Sequence, residues 1–98
     1  MSAKIALQKA LLLLDRGNLE RGEALLREAI DDSEQERDDL TLVGALCCLG
    51  DLLHSEGRSQ EAVPFLERVL TFRREDDLID YERERADEIL AGIKSGNS

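Results

Sequence analysis

Displaced by 40 residues, this chain matches itself, and that self-similarity restricts its fold more than any other feature. Gly17 falls on Gly57, Leu12 and Leu13 on Leu52 and Leu53, Leu26 on Leu66, and Ile30 on Leu70. Ala86, Ile89 and Ile93 continue the frame, 40 residues beyond Leu46, Leu49 and Leu53. Each copy reads as a helical hairpin with an apolar face it cannot bury alone, so the copies must stack.

The clearest copy runs from Leu46 to Leu70. Leu46, Leu49 and Leu53 recur at helical spacing, Gly50 leaves room for a close neighbour, Gly57 breaks the run, and Ala62, Leu66, Val69 and Leu70 form the answering stripe. Upstream, Ala3 to Arg16 is apolar around most of its circumference, so it needs cover on more than one side. Ser2 is placed to cap it, Gly17 to stop it, and Asn18 to cap a second helix from Leu19 through Ile30. The polar stretch Asp31 to Asp39 extends that helix into solvent and then turns. A third helix begins at Leu40 and reaches His54; Ser59 caps a fourth that survives Pro64 with a slight bend. Leu78, Ile79, Ala86, Ile89, Leu90 and Ile93 supply a fifth, and Lys94 to Ser98 should fray. With 3% aromatic residues and one proline, an all-α fold of about five helices is expected in a single domain.

The residues of the clear copy resemble the tetratricopeptide repeat. Leu46, Leu49, Gly50 and Leu53 occupy the first part of its pattern, and Ala62, Leu66 and Val69 the second. Ala6, Lys9, Ala10 and Leu13, then Gly22, Leu26 and Ala29, form a degenerate first copy with Lys9 where Leu is expected. The period of 40 exceeds the family's usual 34, and Arg74 stands where the family's closing proline is aligned. The resemblance implies repeat one over about residues 3–36, repeat two over 38–74 and a capping helix over 76–94, stacked as a short right-handed solenoid.

It also implies a concave groove lined by the first helix of each repeat. The groove positions would be Leu7, Leu11 and Leu14 in repeat one, and Cys47, Asp51 and His54 in repeat two. The Lys and Asn with which chaperone-binding members hold a terminal carboxylate are missing. The three leucines instead suit a hydrophobic helix or a second copy of the chain, unless the chain's own fifth helix covers them as core. Leu7, Leu11, Leu14, Asp51 and His54 are therefore the expected partner contacts.

Charge and motif content narrow the function further. A net charge of −9 opposes nucleic-acid phosphate and anionic lipid and favours a partner with basic flanks. The leucine run at 11–14 lacks the cleavage site of a signal peptide, and no stretch approaches a membrane span. Cys47 and Cys48 are adjacent on a helix, a poor disulfide geometry, so they read as small buried hydrophobes in a cytoplasmic protein. Cys47 and His54 lie about 10 Å apart along the axis, too far to share a zinc ion. Asp31 to Asp39 lacks the central glycine of a calcium loop. No nucleophile–base set or phosphate loop is present, and no metal or cofactor is expected. The expected function is a non-enzymatic scaffold binding an amphipathic or basic-flanked peptide segment in a concave apolar groove. The alternative is a self-assembly module that buries its apolar first helix in a homodimer.

Overall fold

In the computed structural model, which describes residues 2–96, the helical periodicity becomes five helices. They are α1 Ala3–Asp15, α2 Leu19–Glu36, α3 Asp39–Ser55, α4 Ser59–Val69 and α5 Asp80–Gly96, and the described residues contain no strand. The expected all-α repeat fold is thus the observed one. The chain forms two compact units, one ending at Ala45 and the other starting at Leu46, with the boundary inside α3.

The 40-residue frame is repeated in backbone detail. Gly17 and Gly57 both take φ +80°, the left-handed region that a side chain resists. Behind Gly17, its N–H donates to Leu14 O at 3.0 Å and the Asn18 N–H donates to Leu13 O at 2.8 Å. Behind Gly57 the same two bonds run to His54 O at 3.0 Å and Leu53 O at 2.8 Å. This crossed pair satisfies carbonyls that a helix end otherwise leaves open. Arg37 ends α2 in the same way at φ 58°, without a glycine: its N–H bonds Glu34 O and the Asp38 N–H bonds Ser33 O.

Within the first unit, α1 packs along α2 through alanine. Ala3, Ala6 and Ala10 are fully buried, as are Leu26 and Ala29 on the facing helix. Gly22 receives the Leu14 side chain so closely that a Cβ there would stand 2.7 Å from Leu14 Cγ. Leu7 meets the start of α3, its Cδ2 lying 3.4 Å from where a Cβ of Gly44 would be. The Glu36 carboxylate closes the hairpin's open end by accepting the Ala3 N–H at 3.1 Å, a negative charge at a helix N-terminus.

The second unit repeats the lock with its polarity reversed. Here the glycine is on the first helix and the leucine on the second: a Cβ on Gly50 would stand 2.6 Å from Leu66 Cγ. Leu49, Leu53, Ala62, Leu66 and Val69 are fully buried around it. α5 packs on α4, burying Ala86, Ile89 and Leu90.

Several local expectations are corrected. Asn18 stands at the N-cap of α2 but its side chain makes no capping bond, and at α4 the N-cap is Arg58, with Ser59 inside the helix and turned to His54. The polar stretch 31–39 is not wholly solvated, because Ser33 is fully buried with its hydroxyl donating to Ile30 O. α3 begins at Asp39; Asp38 caps it, accepting the Thr41 N–H at 3.1 Å and the Thr41 hydroxyl at 2.6 Å, which holds the Asp38 carboxyl below its ordinary pKa. α5 begins at Asp80, not near 76. Asp76 folds back to accept the Leu78 N–H and is gripped by Arg74, so Leu78 stays outside the helix and exposed while Ile79 is buried. Helix α4 continues through Pro64, and α5 continues through Gly96, past the start of the tail expected to fray; Asn97 and Ser98 lie outside the described residues.

The glycine locks set a clear stability test. Gly50→Ala gains about 1 kcal/mol of helix propensity but overpacks Leu66, which costs about 1–3 kcal/mol. A net loss on the order of 1 kcal/mol is expected in urea denaturation. Gly92→Ala, in α5 with open space around its Cβ, should gain up to about 1 kcal/mol instead. Equal behaviour of the two variants would remove the close approach of Leu66 as the reason for Gly50.

Candidate functional site

A 13-residue helix that buries alanines must send its larger side chains elsewhere, and α1 does so. Its seam is Ala3, Ala6 and Ala10, whereas Ile5, Leu11 and Leu12 are 46%, 41% and 55% exposed. Lys4, Gln8, Lys9, Asp15 and Arg16 are exposed on the same side. At 100° per residue these eight positions span an arc of about 160°. Ile5, Lys9, Leu12 and Arg16 follow one another at i, i+4, i+7 and i+11, within about 60° of arc. The outcome is a helix face of aliphatic groups interleaved with cations.

The expected contact residues divide between the two units. Leu11 is exposed on the α1 face. Leu7 and Leu14 are half-buried and engaged within the first unit, Leu7 against α3 at Gly44 and Leu14 against α2 at Gly22. Asp51 and His54 belong to the second unit, and both have partners there. Arg85 of α5 donates to the Asp51 carboxylate through Nε at 3.3 Å and Nη2 at 3.1 Å, while His54 Nδ1 shares a 2.9 Å hydrogen bond with Ser59 Oγ. The Asp51–Arg85 pair is too exposed to contribute more than about 1 kcal/mol. Ile5 and Leu12 were not among the expected contacts. Their signal was present in the sequence as an i, i+7 pair, but leucines on every side of α1 hid which face the alanines would claim.

Cys47 and Cys48 lie behind Asp51. Cys47 is buried and points its thiol at Glu82 O, 3.9 Å away. Glu82 Oε1 is itself buried and makes no hydrogen bond among the described residues. Burial pushes the Cys47 thiol up to about 12, with Cys48, Glu82 and Asp51 adding to it, and burial pushes Cys48 up to about 11, with Asp51 and Glu82 adding. Thiols held protonated in this way are poor nucleophiles and poor metal ligands. Among the described residues, no three His, Cys, Asp or Glu side chains gather as metal ligands would, and no helix is long and apolar enough to cross a membrane.

The raised thiol values carry a pH dependence of definite sign. An unfolded cysteine here titrates near 9 and the folded ones higher, so between pH 9 and about 11 only the unfolded chain releases these protons. The stabilising contribution is complete below pH 9 and declines as pH rises through that window. Urea midpoints should therefore fall more steeply above pH 9 for the native sequence than for Cys47→Ala/Cys48→Ala. Parallel slopes would mean that the thiols are not desolvated.

A family model of the tetratricopeptide repeat matches residues 1–75, which covers both glycine-locked hairpins and stops before α5. No curated protein and no solved structure matches the chain. With more than half of its length matched, and with the repeated hairpins and small-residue seams described above, the chain belongs to the tetratricopeptide repeat family.

Proposed function

We propose that this chain is a protein-interaction module whose docking surface is the exposed face of α1, with Ile5, Leu11 and Leu12 as its apolar anchors. Tetratricopeptide repeats generally mediate protein–protein interaction, which supplies the broad class. The observation that carries the site is the division of labour on α1: alanines inward, three large aliphatic residues at 41–55% exposure outward. Removing such side chains from water is worth roughly 25 cal/mol per Å² of apolar area, so a partner that covers them gains affinity from a surface the fold already provides. An amphipathic helix is the natural partner, since its i, i+7 residues match the spacing of Ile5 and Leu12, with Leu11 at the edge of the same face. Leu7 borders the face at half-burial, whereas Leu14, Asp51 and His54 serve the hairpin and its neighbours.

Homodimerisation through the same face is the rival reading, because the same exposed leucines would serve a two-fold contact. The charge balance of the face counts against it, three cations against the one anion Asp15. Two antiparallel copies would bring Lys4, Lys9 and Arg16 of each protomer onto the same cationic face of the other.

Selection of helical peptides of unrestricted sequence from a display library tests the proposal. Recovered peptides should bind the native chain and lose at least about tenfold in affinity for Ile5→Asp/Leu12→Asp. That variant should keep its helicity, because both side chains are already half in water and surface changes usually stay within about 0.5 kcal/mol. Peptides that bind the variant equally would dismiss the α1 face. Sedimentation at low micromolar concentration should show a monomer; a dimer abolished by the same variant would favour the rival.

A further inference from the structure

The α1 face differs from the rest of the chain in the sign of its charge, and that difference specifies the partner. From Ser2 to Arg16 there are three basic residues, Lys4, Lys9 and Arg16, and one acidic, Asp15, in a chain whose net charge is −9. All four are exposed. Elsewhere several arginines pair with acids of the chain, Arg27 with Glu23, Arg58 with Glu56 and Glu61, Arg74 with Asp76, and Arg85 with Asp51 and Glu88, while Arg83 donates to backbone carbonyls. The Lys9 and Arg16 side chains make no ion pair or hydrogen bond among the described residues, and they alternate with Ile5 and Leu12 along one strip. Lys4 lies near enough to Asp38 to act on it electrostatically but forms no ion pair there.

Resting on the docking surface proposed above, we infer that its partner is an amphipathic helix with acidic flanks, and not the basic-flanked segment that net charge alone suggests. Charges within one Debye length, about 8 Å at physiological salt, dominate recognition. Glu36 and Asp38 lie at the Ala3–Lys4 end of α1, engaged with the Ala3 N–H and with Thr41, so the cationic stretch that a partner meets is the one carrying Lys9 and Arg16. A partner helix laid along the strip presents its apolar residues to Ile5 and Leu12. Its flanking positions then meet Lys9 and Arg16, which favours Glu or Asp there and disfavours Lys. The interleaving matters as well as the sign: alternating aliphatic and cationic groups fix the register of a helix that carries alternating aliphatic and anionic ones.

A display library of helices with fixed leucines at the anchor spacing, and Glu or Lys randomised at each flanking position, reads the inference directly. Binders selected on the native chain should be enriched in Glu over Lys by about tenfold or more, and their affinity should fall as salt rises from about 50 to 500 mM. On Lys9→Glu/Arg16→Glu, checked by circular dichroism for unchanged helicity, the preference should reverse to Lys. Binders that depend on Ile5 and Leu12 but show no Glu preference, or no reversal, would overturn the acidic-partner inference and leave the docking face standing. No binder that depends on Ile5 and Leu12 would overturn the docking face, and this inference with it.

Discussion

The whole arrangement depends on leucine entering the space that a glycine leaves. Leu14 sits on Gly22 in the first unit and Leu66 on Gly50 in the second, each at a distance that any side chain on the glycine would contest. Helices that approach this closely need little bulk between them, so the α1–α2 seam is made of alanine and the larger residues of α1 are released to the outside. The same contact therefore sets the spacing within a hairpin and determines which face of α1 meets solvent. An aliphatic-rich, aromatic-poor composition follows naturally, because rings are too thick for such seams.

Much of the fold was legible because its signals are local. Gly17 and Gly57 announce their turns by residue type, and the structure gives both the same φ and the same pair of crossed bonds. Arg37 performs the same task without glycine, so the end of α2 showed only as a polar stretch. The caps were harder to read. Ser59 has the right chemistry for a cap, but it lies next to His54 in space, and a side chain–side chain bond takes its hydroxyl. Asp38 does not stand out in a stretch of many acids, although Thr41 three residues later completes its cap.

The candidate site was legible in part. That α1 carried surplus apolar surface followed from its sequence, since leucine, isoleucine and alanine surround it. Which residues remained exposed did not follow, because that depended on whether α2 and α3 met α1 through its leucines or its alanines. The alanines took the seam, Leu14 entered the space over Gly22 beside it, and Leu7 was turned to Gly44 of α3, which left Ile5, Leu11 and Leu12 outside. Asp51 illustrates the other difficulty. A carboxylate on a groove-lining position resembles a ligand contact until the rotation of α5 about its own axis is known, and here that rotation brings Arg85 to it.

Arg83 links the two helices that follow the last repeat turn. Its Nη1 donates to Leu70 O at 2.9 Å and to Phe72 O at 2.6 Å, so one guanidinium on α5 occupies open carbonyls at the end of α4 and in the segment beyond. If α5 detached, these carbonyls would return to water at the same moment that Ala86, Ile89 and Leu90 became exposed. Loss of the cap and loosening of the α4 terminus are thus coupled through Arg83, and hydrogen exchange in the two segments is expected to follow a single opening.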